Sequence, residues 1–420
     1  MRTALIYLND EKLVNRGVGY VVMAARAAGH EVTLLDLAYM THEEAADQAV
    51  GYDLVMMSSA SPHYYQAMDL ARQIKERTST CILLGGSHAT VAGKEVLREC
   101  EAIDYVCVGE GEGFVGEFLD AFEAGTPLDE IANLAYRTRD GEAIGNSVRP
   151  CTSLQTIPPF DYDVFKASSI YDTMITYKRF CYVAATRGCP YSCSYCCNSH
   201  FLNLYKKSYL RTTPVDTIIA ELRFLQERHG IECAYFGDEM ILFNLDYVEE
   251  LFTRVHEELK LPYGCMFRPR KTTPAVVDLL RRTGCVYTAL GVECGDEEFR
   301  RKFLNRAETN EEIIEAFKLV RTIPNIYITS FNMRGYPVSY DDRLTASTQK
   351  LNKILRPNTF QLTWFFPIMG TTLYDYCMAR KLVDEPDLRR TTHFFERSVI
   401  KHPVPRALDG ASVMEVYHES

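Results

Sequence analysis

Arg187-Gly188-Cys189-Pro190-Tyr191-Ser192-Cys193-Ser194-Tyr195-Cys196 sets three cysteines in one short loop, with C-x3-C-x2-C spacing. Three thiolates so placed can hold three irons of a 4Fe–4S cubane and leave the fourth iron open. An open iron is the chemically useful part, because a chelating ligand can bind there. A zinc site calls for four ligands, commonly as two Cys or Cys/His pairs, and no second pair lies nearby. Cys197 and His200 remain as supplementary donors, although adjacent residues point in different directions and Cys197 reads as a packed neighbour. The rest of the fourteen cysteines are scattered singly and read as small buried hydrophobes.

The loop follows an apolar run, Tyr182 to Thr186, that reads as a strand. From there strands alternate with helices: Cys233–Phe236, Gly264–Phe267, Tyr287–Val292, Tyr327–Met333 and Thr359–Phe366. Helix signals lie between them. Thr213-Pro214 opens a helix closed by Gly230, Thr273-Pro274 opens another closed by Gly284, and Thr309 with Glu312 forms a capping box. Six strands in βα order suffice for a partial (β/α)6 barrel.

The front of the chain shows a second alternating series. Ala4–Leu8, Val32–Leu35, Leu54–Met57, Cys81–Leu84 and Tyr105–Val108 are short apolar runs separated by helical patterns, which predicts a doubly wound, Rossmann-like parallel sheet. Three of these runs end in small residues: Ser58-Ser59, Gly85-Gly86 and Gly109, with His88 and Glu110 close behind. Glycines at strand ends let backbone amides approach a bulky or anionic ligand, so the three ends suggest one continuous slot. A hairpin around Asp140-Gly141 and a proline-rich stretch from Pro150 to Asp163 read as a link between two domains. The reading therefore divides the chain into residues 1–130, a hairpin and linker at 131–180, a barrel at 181–380 and an irregular tail at 381–420.

Bulk properties narrow the classes. A net charge of −10 argues against a broad nucleic-acid-binding surface. No apolar stretch approaches the roughly 18 residues of a membrane span. The first residues, MRTALIYLND, place Asp10 and Glu11 where a signal peptide keeps its apolar run, so a cytoplasmic location is expected.

The C-x3-C-x2-C loop after a strand resembles the radical S-adenosylmethionine (SAM) superfamily, and the likeness runs from about Tyr182 to Tyr376. It implies a 4Fe–4S cluster on Cys189, Cys193 and Cys196, whose open iron binds the amino and carboxylate groups of SAM and splits it to a 5′-deoxyadenosyl radical. Tyr195 matches the aromatic position set against the adenine. Gly237, Asp238 and Glu239 are similar to the element that holds the SAM amino group, although the glycine pair is incomplete. Gly291-Val292-Glu293 is similar to the end of the fourth strand, where Glu293 would face the ribose or methionine. Arg306 matches a position that meets the SAM carboxylate. Gly335-Tyr336-Pro337 and Pro367–Thr371 resemble the loops after strands five and six.

The front half resembles the cobalamin-binding domain found ahead of many radical SAM cores, over roughly Met1 to Gly125. It lacks the D-x-H-x-x-G motif, so His88 is placed along the slot without being assigned as a cobalt ligand. Together the resemblances imply a cobalamin-dependent enzyme that methylates an unactivated carbon of a small molecule. A low-potential donor such as flavodoxin or ferredoxin would be its partner, with no nucleic acid and no membrane. The alternatives are a non-methylating cyclisation, ring contraction or rearrangement with cobalamin auxiliary or lost, and a non-catalytic cobalamin or iron–sulfur sensor.

Overall fold

The computed structural model describes residues 1–405 apart from 10–11, 171, 173–177, 393 and 396. Parts of the 131–180 segment, and residues 406–420 of the tail, thus lie outside the described residues. The chain forms two compact units. One is built from Met1–Thr152, Phe160–Ile170 and Arg389–Thr392, and the other from the remaining described residues.

The first unit carries strands β1 (Thr3–Tyr7), β2 (Val32–Asp36), β3 (Leu54–Ser58), β4 (Cys81–Gly85), β5 (Tyr105–Cys107), β6 (Leu134–Arg137) and β7 (Ala143–Gly145). They form one sheet in the order β2-β1-β3-β4-β5-β6-β7. The first five are mutually parallel, and the hairpin β6–β7 extends the edge antiparallel. Near-continuous burial along β1 and β3 is what helices on both faces produce. The order reverses between β1 and β3, and that switch point opens a crevice at the carboxyl edge.

The proline-rich stretch read as a link is firmly anchored. Phe160, Tyr162 and Phe165 are buried, and Phe160 sets its ring edge-on to Tyr20 on helix Arg16–Ala27. Gly19 makes room for it, since a Cβ there would lie 2.4 Å from the Phe160 ring. Periodicity misses such a segment because its aromatic anchors stand between prolines and turns rather than on a regular element. The described part of the tail is also more ordered than its polarity suggests. It contains the helix Glu385–Arg390 and a bridge between Val383 and Ile400, with Leu388 and Val399 buried.

The second unit contains β8 (Phe180–Val183), β9 (Thr186–Arg187), β10 (Arg211–Thr212), β11 (Cys233–Phe236), β12 (Tyr263–Phe267), β13 (Cys285–Glu293), β14 (Tyr327–Arg334) and β15 (Thr359–Trp364). Six of them form a curled, all-parallel half-barrel sheet in the order β15-β14-β13-β12-β11-β8. The single strand expected at Tyr182–Thr186 is divided. β8 belongs to the barrel, whereas β9 leaves it to pair antiparallel with β10. Two of the three helix-start readings hold in detail. Thr273 caps the Val276 amide, and Thr309 with Glu312 completes a capping box. Thr213 makes no such cap; its amide donates instead to the Ala185 carbonyl.

Side chains alternate across this sheet. Phe236 and Tyr263 pack on Phe252 of helix Leu245–Arg254, so the intervening residues face the opposite side. One register row on that inner side reads Tyr182, Tyr235, Gly264, Tyr287, Tyr327. The rings contact in sequence, at centroid distances of 5.1, 5.4 and 5.9 Å. Gly264 lets Tyr235 and Tyr287 meet, because a Cβ at that position would lie 3.0 Å from both rings. Gly264→Val should therefore overpack this layer and cost about 1–3 kcal/mol, read as a lowered urea midpoint at unchanged slope.

Candidate functional site

The cysteine loop is pinned at both ends. At its start Gly188 has φ +98°, and a Cβ there would lie 2.4 Å from the Tyr209 carbonyl oxygen, so only glycine fits. Asp238 Oδ1, at the end of β11, accepts from the Thr186 amide at 2.5 Å and from its hydroxyl at 2.6 Å. Farther along, the Asn305 amide donates to the Ser192 carbonyl at 2.7 Å, and the Ser194 hydroxyl to the Phe303 carbonyl at 2.6 Å. The Leu373 amide closes the set by donating to the Ser194 carbonyl at 3.0 Å.

Burial pushes the Cys189 thiol up to about 11, opposed by the Tyr191 amide, and burial also raises Cys193 against the charges of Arg306 and Arg268. Cys196 moves the other way. A hydrogen bond from Cys197 lowers it, aided by the backbone and side chain of Asn198, while Cys197 itself is raised. The adjacent cysteine thus sits against Cys196 as a thiol donor. Among the described residues no three Cys, His, Asp or Glu side chains converge as ligands of one metal ion. Cys189, Cys193 and Cys196 are free thiols on one loop, which is the donor set that a cubane with one open iron takes.

Glu293 ends β13 in the left-handed region, φ +64°, at a register shift between Gly291 and Glu293. A glutamate held there stores about 1–3 kcal/mol of strain, which is characteristic of sites where a side chain must be aimed. Its carboxylate pairs with Arg306 Nη1 at 3.2 Å, and Arg306 Nη2 donates to the Gly291 carbonyl at 2.7 Å. Gly291 leaves space for this pair, since a Cβ would come within 2.7 Å of the carboxylate. Arg306 Nη1 also reaches the Tyr195 hydroxyl at 3.2 Å. Burial raises the Glu293 carboxyl, and Arg306 opposes that shift. Arg306 is 5% exposed and lies on no helix.

Two residues here escaped the sequence reading. Arg268 follows β12, and its Nη1 donates to Cys193 Sγ at 3.7 Å. Glu308 grips the same guanidinium at 2.5 and 2.6 Å. Burial alone would raise the Glu308 carboxyl, but the hydrogen bonds from Arg268 and the charges of Arg306 and Arg268 bring it to about 2. An Arg-Pro pair at a strand end and the Arg-x-Glu spacing of 306 and 308 were the available signals.

At the end of β11, Gly237 is exposed and a Cβ would meet nothing closer than 3.6 Å from Tyr182. The fold does not require a glycine there, so the vacant space suits a ligand. Glu239 is exposed beside it, and its carboxylate accepts from the Gly188 amide at 3.4 Å. Asp238 is turned inward to Thr186, which makes it a brace of the loop.

In the first unit, Thr90 joins two of the small strand ends: its hydroxyl donates to the Gly86 carbonyl at 3.0 Å and accepts from the Gly109 amide at 3.1 Å. Gly86, φ +98°, is required because a Cβ would lie 2.5 Å from the Ser59 carbonyl oxygen. Ser59 is buried and donates to the Ala60 carbonyl, while Ser58, Gly85 and Gly109 are half-buried along the rim. Gly85 has free space, the nearest atom to a Cβ being 3.7 Å away on Cys107. Two expectations change. His88 lies in the interior at 4% exposure, stacked on Tyr64 at 3.8 Å with Nδ1 on the Ser61 hydroxyl, and burial lowers it to about 3. Glu110 uses its carboxylate to hold the Thr152 amide at 2.8 Å.

Burial raises the Asp238 carboxyl from 3.8 to about 7, with the Thr186 hydrogen bonds opposing and the Glu239 charge adding. The unfolded chain loses this proton first, so the group favours folding at low pH and that contribution fades as pH rises from about 4 to 7. The stability advantage of wild type over Asp238→Asn should accordingly shrink across that interval in urea titrations; a constant difference would mean that the carboxyl titrates normally.

Residues 183–346 match the radical SAM superfamily, and residues 10–119 match the B12 binding domain. An uncharacterized methyltransferase of Pyrococcus horikoshii is 27% identical over 92% of this chain and 83% of its own length. The anaerobic magnesium-protoporphyrin IX monomethyl ester cyclase of Cereibacter sphaeroides is 25% identical over 72% of this chain and 51% of its own. The radical SAM methyltransferase TsrM from Kitasatospora setae superposes with a TM-score of 0.69 at 16% identity, over 92% of this chain and 75% of that one. That likeness concerns the fold. The two matched domains bring a 4Fe–4S cluster, SAM and cobalamin as cofactors. This chain is an enzyme that carries a B12 binding domain ahead of a radical SAM domain.

Proposed function

We propose that the enzyme is a cobalamin-dependent radical SAM methyltransferase that methylates an unactivated carbon of a small molecule. The observation that carries this reading is one rigid loop with three sulfur donors beside a strained, aimed Glu293–Arg306 pair, in a chain that also has a B12 binding domain. Methyltransferase relatives that align over nearly the whole chain support the reaction class. When bound, the cluster supplies the electron that splits SAM to a 5′-deoxyadenosyl radical, and cobalamin supplies the carrier for the transferred methyl group.

The chain's own residues orient and shield. Cys189, Cys193 and Cys196 hold the cluster and leave one iron free. Arg306, already balanced by Glu293, offers its charge to the SAM carboxylate, and Glu293 faces the ribose or methionine. Glu239 accepts from the amino group above the space left by Gly237, and Tyr195 lies against the adenine. In the first unit Ser58, Gly85, Gly86 and Gly109 form the rim that receives the corrinoid, with Thr90 holding two of these strand ends in register. A low-potential flavodoxin or ferredoxin serves as the electron source. Among the described residues no helix is long and apolar enough to cross a membrane.

A second reading, cyclisation or another rearrangement without methyl transfer, has the Cereibacter cyclase relative in its favour. Product mass separates the two: methyl transfer adds one CH2 unit, whereas a rearrangement leaves the mass unchanged and an oxidative cyclisation lowers it. A sensor without catalysis would release no deoxyadenosine.

Anaerobic reconstitution should give about four irons per chain and a bound corrinoid. The triple variant Cys189→Ala, Cys193→Ala, Cys196→Ala should lose the iron and all deoxyadenosine release while keeping the corrinoid. Release of deoxyadenosine by that variant would defeat the assignment. Gly85→Phe, whose Cβ the fold admits, should weaken corrinoid binding at least tenfold with iron content intact. Unchanged corrinoid absorbance would remove the rim from the site.

A further inference from the structure

We propose that Arg268 is a positioning residue that, through its hydrogen bond to Cys193, sets the reduction potential of the cluster. This rests on the reading of the three cysteines given above. Three restraints leave the guanidinium one orientation. Its Nη1 donates to Cys193 Sγ at 3.7 Å, its Nε and Nη2 are both taken by Glu308, and its Cζ lies 3.9 Å from the centre of the Tyr191 ring. Arg268 is 9% exposed and Glu308 1%, so water screens neither. Tyr191 belongs to the cysteine loop itself, between Cys189 and Cys193. The loop, the cation and the acid therefore form one unit.

A hydrogen bond and a positive charge at a ligating sulfur favour the reduced, more negative state of an iron–sulfur cluster. Unbalanced, Arg268 would make the cluster a weaker reductant, which disfavours splitting a sulfonium. Glu308 cancels the charge at longer range while preserving the directional bond. The pair thus holds the potential between two demands: acceptance of an electron from a low-potential protein donor, and delivery of that electron to SAM. Arg306 makes its hydrogen bonds elsewhere, to Glu293, the Gly291 carbonyl and Tyr195, and meets this unit through Glu308, with its Nε 3.8 Å from the carboxylate. The bidentate grip also explains why lysine would not substitute, since a single ammonium cannot bond both carboxylate oxygens in plane and the sulfur as well.

The test is an anaerobic redox titration of the reconstituted full chain, followed by electron paramagnetic resonance, with iron content measured in parallel. Arg268→Gln should retain the iron and lower the midpoint potential. Glu308→Gln should raise it, because the cation is then left uncompensated. Opposite signs are the signature of charge at the sulfur, which a loss of packing does not produce. Normal iron content with an unchanged midpoint in Arg268→Gln, or shifts of the same sign in both variants, would overturn the proposal. Should Arg268→Gln fail to load iron, Glu308→Gln decides alone: an upward shift supports the proposal, and no shift or a downward one overturns it. If the wild-type chain itself takes up no iron, the cysteine assignment fails first, and this inference with it.

Discussion

Three sulfur donors on one loop are useful only if their backbone cannot collapse onto a proton, a disulfide or a fourth ligand. Everything else in the second unit serves that rigidity. Asp238 clamps Thr186 from the end of β11, Gly188 turns where no side chain fits, and Asn305 holds Ser192 from the segment that leads to Arg306. Asp238 and Asn305 come from two different βα units, so the loop is held only when both units are in place. Local sequence could not achieve this alone, because a loop of ten residues has too few backbone partners of its own.

The same geometry determines the electrostatics. Buried thiols resist ionisation, as the raised Cys189 and Cys193 show, so iron binding has to displace protons. Arg268 and Arg306 lower that barrier by placing positive charge beside the sulfurs, and Glu308 and Glu293 keep those cations fixed and balanced. Tyr195 and Tyr191 close the layer. On the inner side of the sheet, the row of tyrosines from Tyr182 to Tyr327 packs ring against ring. In the first unit a related logic applies with smaller parts: Thr90 ties Gly86 to Gly109 so that the strand ends form a continuous rim.

Much of the architecture was legible from the chain. Strand runs such as Cys233–Phe236 were bounded correctly, and the capping box at Thr309 and Glu312 was read in full, because both signals depend on neighbours only a few residues away. The break between β8 and β9 was not legible. It depends on Asp238, some fifty positions farther on, capturing Thr186. Arg268 and Glu308 were missed for the same reason: each looks like an ordinary surface charge until the fold buries both against Cys193. His88, close in sequence to the small strand ends, is turned inward by packing onto Tyr64, which local sequence does not reveal.

Sequence by itself determined the βα alternation, the three-cysteine spacing and the helix caps at Thr273 and Thr309, since these follow from backbone sterics and short-range periodicity. Tertiary structure alone decided which charges are buried, which carboxylate braces a loop and which stays exposed, and which glycine makes room for its neighbours. Burial and pairing are properties of residues brought together from distant parts of the chain, and no local pattern encodes the dielectric they meet there.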